Sequence, residues 1–345
     1  MLHRRTGSCG ALAWTLLFFG CRIVAQPDRE HKPALPHFGN LNFHQQITAG
    51  TGWIKRLNEP SAFAPTLRIL PVHKDRVLKR TGLTLLLGVL FVPLNATAET
   101  TTVCTLISDA KTGKTIIQEG KCETRATAAS TFKIAISLMG FDSGILTDAH
   151  HPVWSFKESY PDWRAAWRKD TDPQYWIEQS VVWYSQQINI RLGEAKFRDY
   201  VTSFDYGNAD VSGDVAKQNG LMRSWLSSSL QISPAEQIEF VSKMIRGELP
   251  VSKQAREMAM GLFDMGVQAN GWHVFGKTGA GLSQNADGRP IKGRPWGWFV
   301  GWATRGDQTV AFARLTHDST RPAKSPGFDA RDAFMAEYFA TDSAF

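Results

Sequence analysis

From residue 99 onward, the segments with strand character lie at the two ends of the chain and those with helical character lie between them. Near the start, 103–107 and 115–117 are rich in β-branched residues on either side of Asp109-Ala110-Lys111-Thr112-Gly113, which predicts a hairpin. Near the end, 272–276, 298–303 and 310–315 read as strands, and a last helix is expected over about 330–339. Between them, Ser233-Pro234-Ala235-Glu236 is a capping box with Pro at the first helical position, followed by Ile238, Val241 and Ile245 at helical spacing. Strands this far apart share one sheet only if the intervening stretch folds out of the way. The expectation is an α/β chain of the α+β three-layer kind: an antiparallel sheet flanked by helices, with a helical subdomain over about 141–240.

The net charge of +7 suggests a nucleic-acid partner until its distribution is examined. Residues 1–98 carry 12 basic and 4 acidic side chains, whereas 99–345 carry 27 and 28. A nucleic-acid footprint needs basic residues on the folded body, so that class is set aside. The excess instead precedes a short apolar run. Lys74, Arg76, Lys79 and Arg80 lead into 83–92, Pro93 interrupts it, and Ala96-Thr97-Ala98 has the small-x-small form that signal peptidase reads. Residues 77–98 therefore read as a signal peptide with cleavage after Ala98, which directs the mature chain, 99–345, to the periplasm without a stable membrane span. Residues 1–76 read as a non-native or unstructured extension, with Val77 as the expected true start. Of the four cysteines, Cys104 and Cys122 flank the hairpin turn. Two readings stand for them: a disulfide in an oxidising compartment, or two separate thiols. No Cys-x-x-Cys pair or His-Glu-x-x-His motif points to a metal, and the sequence assigns no oligomeric partner.

Chemistry concentrates at Ser130-Thr131-Phe132-Lys133, at the head of the apolar stretch 131–139, which is expected to open a helix with Ser130 in an N-cap-type position. Residues three apart share a helix face, so Lys133 reaches the Ser130 hydroxyl. A serine is a poor nucleophile until something takes its proton, and an ammonium of ordinary pKa ~10.4 cannot take it. Burial among Ile134, Val182 and Trp225 would lower that pKa. The Ser130 N–H, at a helix start, is placed to join an oxyanion hole.

The spacing also occurs at Ser108-Asp109-Ala110-Lys111, but across a polar turn. Lys-Thr-Gly likewise occurs twice, and the useful copy is Lys277-Thr278-Gly279, which follows a strand-like run. There a cation and a hydroxyl would meet a carboxylate-bearing substrate, and the Ala280 N–H would complete the oxyanion hole.

In order, the chain carries Ser130-x-x-Lys133, Ser180-Val181-Val182, Tyr206-Gly207-Asn208 with Trp225-Leu226, and Lys277-Thr278-Gly279. This set resembles the class D (oxacillinase-type) serine β-lactamases across about 99–345; the middle motif is Ser-x-Val rather than Ser-Asp-Asn. The resemblance implies a β-lactamase/transpeptidase-like fold, β-lactam hydrolysis through acyl-Ser130, and no cofactor beyond a CO2-derived carbamate on Lys133. That carbamate would be the general base for acylation and deacylation. Trp225 would hydrogen-bond it, and Val182 and Leu226 would line its pocket. Ser180 would relay a proton to the lactam nitrogen. Lys277, Thr278, Gly279 and Ala280 would bind substrate, with Arg331 on its carboxylate and Arg321 as the rival for that role. Tyr206-Gly207-Asn208 would be a structural turn. Two alternatives share the motifs: a sensor domain that stays acylated, and a cell-wall transpeptidase. Both usually bring membrane spans or further domains.

Overall fold

A computed structural model of the chain describes residues 99–343. The expected signal segment 77–98 and the stretch 1–76 lie outside the described residues.

The hairpin forms from β1 (Thr100–Asp109) and β2 (Thr115–Gly120), with Cys104 opposite Gly120 and Ile107 opposite Ile117. Cys104 and Cys122 are joined by a disulfide with a Cα–Cα separation of 5.0 Å, so the first of the two cysteine readings holds. A short β3 (Ala126–Thr127) leads into the nucleophile turn and α1 (Lys133–Asp142). The helical stretch follows as α2 (Pro173–Gln179), α3 (Val182–Leu192), α4 (Glu194–Ser203) and α5 (Gly220–Arg223). The two-residue β4 (Gln231–Ile232) returns to pair with β3.

Next come α6 (Pro234–Arg246) and α7 (Lys253–Gly261). The capping box of α6 is complete: Ser233 Oγ accepts from the Glu236 N–H at 3.2 Å, and Glu236 accepts from the Ser233 N–H at 2.8 Å. The chain ends in β5 (Asp264–Val267), β6 (His273–Gln284), β7 (Pro290–Arg305), β8 (Gln308–Asp318) and α8 (Pro326–Tyr338).

The six strands form one antiparallel sheet in the order β2-β1-β8-β7-β6-β5. Strand β1, from the start of the described region, sits beside β8, from its end, as the sequence order requires. The sheet is covered on both faces. Along β7, Trp298, Val300 and Trp302 face one core while Phe299 and Ala303 face the other, the period of two expected of a strand buried on both sides. One core holds α6 and α1. The other is closed by α8, with Phe334 against Phe299 and Phe312 at ring separations of 5.7 and 4.7 Å. Helix α1 is buried from Lys133 through Phe141, as befits a helix apolar on every side. Among the described residues, no helix is long and apolar enough to cross a membrane.

Candidate active site

Ser130 does not cap a helix as the sequence suggested. It lies inside a 3-10 turn, Ala129–Phe132, that runs directly into α1 without a side-chain cap. The cause is Ala129, whose φ of 48° reverses the chain and tightens the first turn. A left-handed non-glycine residue costs energy, and the surroundings hold it in place. The Ala129 N–H donates to the Trp225 carbonyl at 2.9 Å. Thr131 Oγ1 donates to the Ala128 carbonyl at 2.6 Å and accepts from Gln237 Nε2 at 2.9 Å. Thr127 Oγ1 donates to the Trp225 carbonyl at 3.0 Å and accepts from the Ser227 N–H at 2.9 Å. These bonds tie the nucleophile turn to the 225–227 segment, 98 residues further along the chain.

Lys133 begins α1, and its Nζ lies 3.4 Å from Ser130 Oγ. The side chain has no solvent exposure. Stripping an ammonium of water costs several kcal/mol, and one long hydrogen bond returns about 1 kcal/mol. Burial therefore holds the Lys133 amine well below the ordinary lysine range, helped by the charge of Lys277. Burial thus favours the neutral form of the amine. Nearby, the Trp225 ring stands 5.8 Å from Phe132, and its Nε1 is buried with no hydrogen-bond partner among the described residues. Buried indole N–H groups nearly always have a partner. An orphaned buried donor leaves room in this core for an acceptor.

Ser180 caps the C-terminus of α2 in the left-handed conformation, at φ 56° and ψ 38°. Val182 then opens α3 and is buried. Opposite, Lys277-Thr278-Gly279 lies within β6, paired with Val300, Phe299 and Trp298 of β7. The strand passes close to the nucleophile turn: a Cβ on Gly279 would stand 3.2 Å from the Thr131 backbone nitrogen, and one on Gly281 only 2.4 Å from Thr127 Cγ2.

These elements enclose a cleft of about 280 Å³ that brings together Ser130, Ser180, Val182, Leu226, Thr278, Gly279 and Ala280. Lys133 and Trp225 are buried outside its lining. Lys277 and Arg331 line an adjoining depression of about 180 Å³, which shares Thr278 and Phe328 with the cleft. Lys277 Nζ donates to the Thr278 carbonyl at 3.2 Å and to Thr278 Oγ1 at 3.4 Å. Burial, then the charges of Arg164 and Arg331, push its pKa down to about 7. Arg331 is held by Asp332 through Nε at 2.8 Å and Nη2 at 2.7 Å. Arg321 lines neither cavity. The second Lys-Thr-Gly sits on a surface turn, where Lys111 Nζ donates to the Asp307 carbonyl at 2.7 Å. Five cleft residues had no signal in the sequence: Trp163, Arg164, Trp167, Ser325 and Phe328. Among the described residues, no cluster of His, Cys, Asp and Glu could hold a metal.

The profile of the penicillin-binding protein transpeptidase domain matches residues 103–339, which places the fold in that class. Within that class, Beta-lactamase OXA-9 of Klebsiella pneumoniae is 44% identical over 235 residues, 68% of this chain and 86% of that protein. Beta-lactamase OXA-1 of Escherichia coli is 40% identical over 222 residues, 63% of this chain and 77% of its own. The crystal structure of OXA-427, a class D β-lactamase, matches with a TM-score of 0.64 at 40% identity, covering 68% of this chain and 95% of that one. The chain belongs to the class D β-lactamases, serine enzymes that hydrolyse β-lactams.

Proposed function

We propose that this chain hydrolyses β-lactam antibiotics through an acyl-Ser130 intermediate and confers resistance to them, with Lys133 working as its CO2 adduct. The observation that carries this reading is the buried Lys133 amine 3.4 Å from Ser130 Oγ, whose neutral form burial favours; the buried Trp225 indole N–H has no partner among the described residues. Only a neutral amine adds CO2, releasing one proton as the carbamate forms, and the product supplies a carboxylate-like general base. Lys133 and the Trp225 N–H would hold it, with Val182 and Leu226 as apolar walls.

Ser130 Oγ attacks the lactam carbonyl carbon and gives up its proton toward Lys133. The N–H groups of Ser130 and Ala280 are offered to the oxyanion. As the carbon–nitrogen bond breaks, the Ser180 hydroxyl passes its proton to the leaving nitrogen and takes up the one held at Lys133. Water then attacks the acyl carbon, its proton goes to the base at Lys133, and that proton passes to Ser130 Oγ as the ester opens. Lys277, Thr278 and Gly279 orient the substrate. No nucleic acid, metal or cofactor takes part.

We place the enzyme in the periplasm, after removal of 77–98 as a signal peptide. The Cys104–Cys122 disulfide supports an oxidising compartment. The test is turnover: the purified chain should hydrolyse a chromogenic cephalosporin for many cycles. Stoichiometric labelling without turnover would instead mark a sensor.

A further inference from the structure

The cleft contains a cation that none of the motifs supplies. Arg164 lines the same cavity as Ser130, Ser180 and Thr278, whereas Arg331 lies in the depression beside it. We infer that Arg164, rather than Arg331, is the guanidinium that pairs with the carboxylate of the bound β-lactam. The inference rests on the β-lactamase reading above and assigns a specificity-determining residue within it.

The two arginines differ in what already occupies them. Arg331 is held through two nitrogens by Asp332, so a substrate carboxylate would have to compete with a resident one. Arg164 has no carboxylate partner among the described residues; its guanidinium lies over the Phe328 ring at 5.5 Å. The acid nearest to it in sequence, Asp162, is committed to Arg168 at 2.8 Å. A planar guanidinium on an aromatic face, with its edge donors unused, is preorganised for a two-pronged contact with a carboxylate.

Arg164 also lies toward the strand where that carboxylate is expected. Phe328 carries Arg164 at 5.5 Å and Arg331 at 5.0 Å, and Thr278, Gly279 and Ala280 of that strand line the same cavity as Arg164.

Its backbone is firmly anchored. The Trp167 N–H donates to the Arg164 carbonyl at 3.0 Å, and Trp167 is buried with its Nε1 on the Gln179 carbonyl at 2.9 Å. Trp183 Nε1 donates to the Trp167 carbonyl at 2.9 Å, and Tyr175 Oη to the Ala166 carbonyl at 2.9 Å. An exposed side chain on a fixed backbone loses little freedom in binding beyond its own rotamers.

The experiment compares benzylpenicillin with its methyl ester, in which the carboxylate is masked, on the purified full chain. Arg164→Ala should lower kcat/KM for the acid roughly ten- to a hundredfold, the loss expected for one charge-assisted contact. It should leave the ester unchanged, so that the loss depends on the charge of the substrate. Arg164→Lys should recover part of the loss, because it restores the charge without the fork. Equal losses on acid and ester, or an acid-selective loss in Arg331→Ala in place of Arg164→Ala, would overturn the assignment. A wild-type chain that fails to turn over the acid would instead overturn the β-lactamase reading.

Discussion

Lys133 Nζ and Ser130 Oγ lie 3.4 Å apart, and the lysine is sealed from solvent. The two facts act together. Without burial, an amine at that distance is an ammonium and withdraws nothing from the serine. Without proximity, a buried neutral amine is only a cost to folding. The 3-10 turn aligns side chains three apart on one face, and the left-handed Ala129 begins that turn.

Activity is expected to fall on acidification and to recover when bicarbonate is added. The pKa of Lys133 is lowered, so the neutral amine persists above the lowered value and is lost below it. Extra CO2 draws the remaining neutral amine into the adduct by mass action. Initial rates against pH, with and without bicarbonate, measure this; a rate indifferent to bicarbonate at low pH would remove the proposed role of Lys133. The same shift has a stability counterpart in CO2-free buffer. Between the lowered value and the ordinary ~10.4, the unfolded chain binds the extra proton, so stability should rise with pH across that window.

Trp225→Phe separates catalysis from packing. The ring contact with Phe132 at 5.8 Å would be largely kept, while an N–H with no partner among the described residues would be lost. Removing an unsatisfied buried donor offsets part of the cost of the cavity that the smaller ring leaves, so the melting temperature should fall only modestly. Activity at ambient CO2 should drop about tenfold or more, from the loss of one hydrogen bond to a charged group, and added bicarbonate should restore part of it. An activity loss that bicarbonate does not rescue would reduce Trp225 to a core residue.

Most of this architecture could be read from the sequence because its signals are local. The capping box at Ser233–Glu236, the hairpin turn at 109–113 and the period-two burial of β7 each depend on residues a few positions apart. The chemistry was legible where motif order added context, since spacing alone did not separate Ser130 from Ser108. Two things were hidden. The Ser130 turn is 3-10 because bonds from Trp225, Thr127 and Gln237 hold Ala129 left-handed, and those partners come from distant segments. Arg164 reaches the cleft because Trp167, Trp183 and Tyr175 fix the 164–167 segment through carbonyls, which carry no sequence signature.

Gly279→Ala tests how closely β6 must approach the nucleophile. The added methyl would stand 3.1 Å from Thr131 Cγ2, 3.2 Å from its backbone nitrogen and 3.3 Å from Trp298 Cβ. Two of these are close to rigid backbone, so the strand and the Ser130 turn must separate by a few tenths of an ångström. Misplacement by about 1 Å costs on the order of a hundredfold in rate, so a loss of about three- to tenfold in kcat is expected. The melting temperature should fall as well, because overpacking of this kind costs about 1–3 kcal/mol. An unchanged kcat would mean that the oxyanion donors are not set by this contact.

Replacing Cys104 and Cys122 together by Ala should lower stability without touching catalysis. The disulfide closes a loop across a sequence separation of 18, and cross-linking a loop of that size contributes about 3 kcal/mol by constraining the unfolded chain. For a domain of this length, that corresponds to a fall in melting temperature of roughly 6–12 °C. Neither cysteine lines the cleft, so kcat and KM should match the parent at a temperature where both are folded. A reducing agent should produce the same fall in the parent and none in the double variant. If reduction leaves the parent unmoved, the bond contributes nothing to stability, and support for an oxidising compartment is lost with it.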